Sequence, residues 1–173
     1  MGVFGWSYSV LLPAFAADLL HVGERGYGGL LSANGIGALS GALAVATFGD
    51  RVPRRLLIFG GLGLFSLMLL LLAVTRNYYL ALVFLAIAGW GMLLYFSTTN
   101  TVIQTSVADG MRGRVMGIWA LVFGGMMPVG GLEAGTLSHW LGVPGAVAIG
   151  AGVCGAAALM TWLRVRRNPP TPA

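Results

Sequence analysis

Six apolar stretches follow one another along this chain of 173 residues, with only short polar segments between them. Each is close to the roughly 20 residues that an α-helix needs to cross the hydrocarbon core of a bilayer. Their approximate bounds are 3–20, 27–48, 56–74, 79–101, 115–137 and 143–163. They are continuously apolar rather than alternating, which predicts helices and not the strands of a membrane barrel. We therefore expect an all-α, polytopic membrane protein with six transmembrane helices.

Composition agrees with this expectation. Hydrophobic residues make up 57% of the chain, and Asp, Glu, Lys and Arg together only 9%. A soluble domain of this size needs more charge on its surface, whereas hydrocarbon penalises exposed charge. We expect one transmembrane domain over residues 1–167. The Pro-rich, polar residues 168–173 are expected to form a disordered cytoplasmic tail.

The formal charge of +5 comes from ten arginines, and their placement predicts orientation. Two of them, Arg25 and Arg76, follow the first and third stretches. The other eight follow the second, fourth and sixth stretches: Arg51, Arg54, Arg55, Arg112, Arg114, Arg164, Arg166 and Arg167. Basic residues concentrate on the cytoplasmic side, so both termini are expected in the cytoplasm of a bacterial inner (plasma) membrane protein. Because the arginines lie between spans, we expect the lipid bilayer and not nucleic acid as partner.

Sequence patterns typical of enzymes are absent. The single cysteine, Cys154, lies inside the sixth stretch and is interpreted as a small packing residue. No Ser/His/Asp arrangement, phosphate-binding loop or His/Cys metal spacing is present. We expect no enzyme activity, no cofactor and no metal.

An internal repeat divides the chain into two groups of three helices. An offset of 87 residues aligns five identical pairs: Gly23/Gly110, Arg25/Arg112, Gly26/Gly113, Ala33/Ala120 and Gly37/Gly124. The two groups enter the membrane from opposite sides. Inverted three-helix repeats of this kind are typical of secondary transporters.

Two segments carry a resemblance to a known family. Residues 49–55, with Asp50 and the arginines after it, resemble the cytoplasmic loop signature of the major facilitator superfamily, although Ala46 and Pro53 replace its two glycines. Residues 100–104 and 107–117, with 128–131, are similar to the loop between helices ten and eleven, and the segment beyond it, in enterobactin-exporter-like members. The resemblance covers nearly the whole chain but only the second half of a typical member.

This resemblance implies a twelve-helix carrier that works by alternating access, of which the chain supplies helices seven to twelve. It implies efflux of a small molecule, such as a drug or siderophore, driven by an ion gradient, with H⁺ as the expected ion. The first and fourth helices of each half line the path, the second and fifth meet the other half, and the third and sixth face lipid. The partner is then an N-terminal six-helix half or a second copy.

Polar side chains in the first, second and fourth stretches are the candidates for the substrate path. Buried polar groups need a partner or water, which favours a cavity or a helix contact. For Ser and Thr the alternative is a bond back to their own helix, and for Asn34 it is helix packing. The candidates are Tyr8, Asn34, Tyr95, Thr98, Thr99 and Asn100.

Glu133 is the only carboxylate well inside an apolar stretch. An intramembrane carboxylate is a candidate site for a proton, and therefore for ion coupling. The alternative is a side chain that reaches the outer headgroups and is simply hydrated.

The cytoplasmic loops are candidates for a charge latch that holds one access state, through ion pairs and helix-end dipoles. The alternative is that their arginines only set topology. The candidates are Asp50, Arg51, Arg54, Arg55, Asp109, Arg112 and Arg114.

Two other functions stay open. One is a six-helix half-transporter that acts as a homodimer, and the other is a non-transporting membrane scaffold or a truncated remnant. Because the first apolar stretch already includes Val3, we expect a piece of a longer carrier.

Overall fold

A computed structural model describes Gly5 and residues 7–167, with only the backbone of Arg167. The elements are α1 (Ser7–Ala14) continued by a π-helical turn (Phe15–Leu19), α2 (Glu24–Phe48), α3 (Arg54–Val74), α4 (Tyr78–Ser106), α5 (Asp109–Gly125) and α6 (Met127–Arg167). No strand occurs in this part of the chain, which confirms the predicted all-α class. The tail predicted at 168–173 lies outside the described residues.

Helix lengths agree with membrane spans. α2, α3 and α4 are long and apolar enough to cross a bilayer, and so is the apolar range Asp109–Arg166 of 58 residues. At 1.5 Å per residue that range measures about 87 Å, well beyond one hydrocarbon core. Gly142 divides it, because its backbone (φ 73°, ψ 166°) is non-helical. The division falls between the fifth and sixth predicted stretches, and the shorter apolar helix Ser7–Leu19 lies in the first.

Prolines explain two irregularities in these helices. Pro13 lies inside α1, where it supplies no N–H to the helix. The next turn widens to a π-helix, in which the Leu20 N–H donates to the Phe15 carbonyl at 3.3 Å. Near the middle of the fifth predicted stretch, α5 ends at Gly125 and α6 begins two residues later, with Pro128 in its first turn. Helices bend or break where proline removes a donor.

α4 is the centre of the packing, with contacts to α2 and α3, while α6 packs against α3 and α1. Glycines allow the close approach. A Cβ on Gly37 would collide with the Ala86 carbonyl of α4, and one on Gly41 would lie 2.8 Å from the Trp90 carbonyl. Small residues let helix backbones meet in this way. Close packing against α4 therefore accounts for glycine at these positions of the second stretch.

The fifth stretch behaves differently. Cβ atoms on its glycines would meet no heavy atom within 4 Å at Gly124, Gly125, Gly131 and Gly135. Among the described residues α5 has none that is buried. Its aromatic contacts with α4 join Phe96 to Trp119 and to Phe123, with ring centroids 6.3 Å and 5.0 Å apart. One face of this stretch is therefore uncovered by the described chain.

The third helix differs from the expectation that it faces lipid. Phe65, Leu69 and Leu72 of α3 are almost fully buried. Only the opposite face is open, where Leu67 is 51% exposed. The reason is that α3 lies between α4 and α6 and packs against both. The sequence of α3 is almost entirely apolar, and such a helix is suited to a protein interior as well as to lipid.

Helix contacts agree with the predicted inverted repeat. In such a repeat α1 corresponds to α4, α2 to the fifth span and α3 to the sixth span. The contact of α2 with α4 therefore predicts an equivalent contact of the fifth span with α1. That contact exists, since Ser7 of α1 hydrogen-bonds to the first part of α6. The second part of α6 is the sixth span, which corresponds to α3. These two equivalent helices contact each other, and Ser66 faces Gly155 between them.

Candidate substrate path and coupling site

Glu133 is tied to α1 by a buried serine. The Ser7 side chain is 3% exposed, and its hydroxyl donates to Glu133 Oε2 at 2.9 Å. Ser7 Oγ also lies 3.4 Å from the Gly130 carbonyl oxygen. Within the described residues the other carboxylate oxygen, Oε1, is buried and has no hydrogen-bond partner. A buried oxygen left in this state is costly, and a bound proton or a ligand donor would relieve the cost.

Tyr8 and Asn34 form a second polar contact next to the first. The Tyr8 hydroxyl donates to Asn34 Oδ1 at 3.4 Å, and Asn34 Nδ2 donates to the Leu85 carbonyl at 3.2 Å. Asn34 therefore joins α1, α2 and α4. The Tyr8 ring also meets Phe65 of α3 edge-on, with centroids 5.7 Å apart. The structure thus brings two predicted path residues together, and it does so through helix contacts.

Tyr95 and Thr99 face a cavity of about 330 Å³ between α3, α4 and α6, with Cys154 on its wall. Within the described chain, Oγ1 of Thr99 and of its buried neighbour Thr98 has no hydrogen-bond partner. By contrast, Thr101 bonds back to the Ser97 carbonyl at 3.0 Å. The bond to the helix's own backbone is thus present at Thr101 and absent at Thr98 and Thr99. These two hydroxyls thus have no partner among the described residues, and Thr99 is the one that lines the cavity.

Asn100 belongs to a different group, at the end of α4. It accepts a hydrogen bond from Gln104 Nε2 at 2.8 Å, and Arg112 Nε donates to the Gln104 carbonyl at 3.2 Å. Arg112 also pairs with Asp109 at 2.7 Å. This chain of contacts links a predicted path residue to two predicted loop residues. The ion pair is exposed, so its contribution to stability is small.

The remaining loop candidates lie at two helix boundaries. Asp50 and Arg51 occupy the turn between α2 and α3, Arg54 and Arg55 begin α3, and Arg114 lies on α5. Among the described residues Asp50 forms no ion pair within 4 Å. The groups named for a latch therefore lie at two separate helix junctions. Among the described residues only Asp109 and Arg112, at the start of α5, form an ion pair in this conformation.

Two contributors to these contacts were not among the predicted site residues. The i, i+4 spacing of Asn100 and Gln104 on one helix face is a signal that could have identified Gln104. Ser7 lies in the first predicted stretch but was not among the candidate path residues. Its contact with Glu133 spans 126 residues, and no local pattern in the sequence indicates it.

The fold and these contacts define a multi-pass helical membrane protein with polar groups buried between its spans. The sequence matches the Major Facilitator Superfamily over residues 1–173, so the chain belongs to this family. The family is one of membrane transporters and not of enzymes.

Individual relatives are similar over part of their length. The chain is 32% identical over 135 residues to Multidrug efflux pump Tap of Mycobacterium tuberculosis, which is 78% of this chain and 32% of the relative. For the Tap protein of Mycolicibacterium fortuitum the identity is 30% over the same shares. For the Uncharacterized MFS-type transporter YwfA of Bacillus subtilis it is 29% over 155 residues, 81% of this chain and 36% of the relative. The chain thus spans about a third of the length of these relatives.

Proposed function

We propose that this chain works within a secondary transporter that exports a small molecule, such as a drug or siderophore, by alternating access. Relatives named as multidrug efflux pumps support export. The placement of eight arginines on one side supports a cytoplasmic location for both termini. The observation that carries the proposal is the part-buried Ser7–Glu133 contact between α1 and α6, because a carboxylate inside a membrane bundle is typical of a proton relay.

In this proposal Glu133 couples transport to H⁺. The ionised carboxylate accepts the Ser7 hydrogen bond and holds α1 against α6. Protonation removes the charge, and a neutral acceptor makes a weaker bond, so the two helices separate more easily. Among the described residues of α1, Ser7 supplies the side chain that hydrogen-bonds to Glu133.

Two groups are proposed as substrate contacts. Tyr8 and Asn34 lie beside the coupling contact, so a substrate that competes for their hydrogen bond senses the same helices. Thr98 and Thr99 offer unpaired buried hydroxyls, and Tyr95 adds an aromatic wall. A site of apolar surface with a few hydroxyls suits an amphipathic molecule.

Replacement of Glu133 tests the proposal. We expect Glu133→Gln, in the native gene product, to abolish pH-gradient-driven efflux of a fluorescent cationic dye from cells. Binding of the dye to purified protein should persist and lose its dependence on pH. The control is Glu24→Gln, at the exposed start of α2, which should export the dye normally. Efflux by Glu133→Gln that equals wild type across pH would refute the coupling role.

We further propose that the uncovered face of α5 contacts the other half of a twelve-helix carrier. The face is apolar, since Ile118 is 64% and Leu121 73% exposed, and the chain covers only a third of its relatives. An immunoblot of the native gene product tests this. A band near twice the 18.0 kDa of this chain supports the covalent half. A band at 18.0 kDa rejects it and favours a second copy as the partner.

A further inference from the structure

A groove of about 540 Å³ runs between the beginning of α3 and the end of α6. None of the candidate path residues lines it, although it shares Phe59 and Ala158 with the cavity that Tyr95 and Thr99 face. Its walls combine apolar side chains with glycines. Phe59 and Trp162 are its aromatic walls, Gly60, Gly63 and Gly155 form its floor, and Arg55 stands at one end. The outer edges are open, since Leu56 is 63% and Leu159 56% exposed.

The glycines give the groove its depth. A Cβ on Gly63 would meet no heavy atom within 4 Å, and one on Gly60 would meet only Leu56 Cδ1, at 3.9 Å. Packing between helices therefore does not require glycine at these two positions. From Arg55 to Gly63 the groove follows α3 for about 12 Å, at 1.5 Å per residue. That shape suits a narrow apolar chain lying along the helix.

Positive charge is concentrated at one end of the groove. Arg55 lines it, and the Arg166 guanidinium carbon lies 5.3 Å from the ring centroid of Trp162, over the ring. In the described part of the chain no acidic side chain lines the groove. Tryptophan and arginine at a helix end are typical of the membrane–water interface. The charged end of the groove therefore lies at the level of lipid headgroups.

We propose that this groove binds an anionic phospholipid. One acyl chain lies along Gly60 and Gly63, and the phosphate contacts Arg55 and Arg166. Both helices span the membrane, so the open side of the groove faces lipid. The apolar floor of the groove matches the acyl chain of such a lipid, and the two arginines match its phosphate. Binding of this kind would fasten α3 to α6 at one end, next to the cavity that Tyr95 and Thr99 face.

The first test measures headgroup selectivity. The purified native gene product is incubated with phosphatidylglycerol or phosphatidylcholine of identical acyl chains, and bound lipid is counted by native mass spectrometry. We expect preferential retention of phosphatidylglycerol. Arg55→Gln should weaken it about fivefold, the effect of one surface cation on an anionic lipid. The control Arg54→Gln removes the same charge from the neighbouring residue, which does not line the groove, and should have little effect. Equal losses in both variants would overturn the site.

The second test blocks the groove. Gly63→Leu should fill it and reduce retention of both lipids, because the open space at Gly63 accepts a side chain without disturbing helix packing. The control is Gly152→Leu, on α6, where a Cβ also meets nothing within 4 Å but which lies outside the groove. Thermal unfolding checks that both variants are folded. Wild-type retention by folded Gly63→Leu, or full displacement of the lipid by glycerol phosphate, would overturn the proposal.

Discussion

Gly61 of α3 and Gly91 of α4 lie against each other's backbone. A Cβ on Gly61 would be 2.6 Å from the Gly91 carbonyl oxygen, and one on Gly91 would be 2.8 Å from the Gly61 carbonyl oxygen. The crossing is therefore reciprocal, and neither position has space for a side chain. Since α4 also packs against α2, this contact holds two helices of the first three-helix group around the first helix of the second.

We expect Gly61→Ala to lower the free energy of unfolding by about 1–3 kcal/mol, because the added methyl forces the two backbones apart. Gly35→Ala is the matched control, since a Cβ at Gly35 meets nothing within 4 Å and alanine favours the helix. Denaturant unfolding in detergent measures both. Equal stability of the two variants would contradict the close crossing.

We expect Asn34→Ala to destabilise the protein by about 0.6 kcal/mol per lost bond, the average for hydrogen bonds between membrane helices. The substitution removes the partners of Tyr8 and of the Leu85 carbonyl. Ser40→Ala, in which the lost bond is to Gly37 of the same helix, should cost less. If Asn34 serves the substrate path as proposed, its variant also weakens dye binding, and Ser40→Ala does not.

We expect Gly142→Ala to lower stability by about 1–3 kcal/mol, because its backbone conformation is one that only glycine adopts readily. Gly152→Ala, within the regular helix that follows, should be neutral or stabilising. Thermal unfolding compares the two. A neutral Gly142→Ala would mean that the fifth and sixth spans are joined by a different turn.

We expect Asp50→Asn to shift the equilibrium between inward- and outward-open states while it changes stability by less than about 1 kcal/mol, since exposed charges contribute little. The readout is alkylation from each side of a cysteine placed at Thr99 in a Cys154→Ala background. The control is Asp18→Asn, at an exposed position of the π-helical turn that ends the first span on the opposite side. Unchanged alkylation in Asp50→Asn would contradict the charge latch. The loop between α2 and α3 would then serve only to set topology.

Sequence reasoning identified the elements better than their contacts. The apolar stretches predicted the helices, and the gap between residues 137 and 143 located the turn at Gly142. The polar outliers Tyr8, Asn34 and Glu133 were recognised individually. Which of them touch was not predictable, because helix rotation about its own axis depends on neighbours that are distant in the chain. The same reason explains the partial burial of α3, whose composition is equally suited to lipid and to a protein core.

The sequence by itself determined that this chain is an all-α membrane protein of the Major Facilitator Superfamily. Hydrophobicity and arginine placement act along the chain, residue by residue, and need no knowledge of contacts. Only the tertiary structure decided that Ser7 meets Glu133, that Asn34 joins three helices, and that α3 and α6 leave a groove with arginines at its end. These features depend on close approach between helices, which is set by shape and burial in three dimensions.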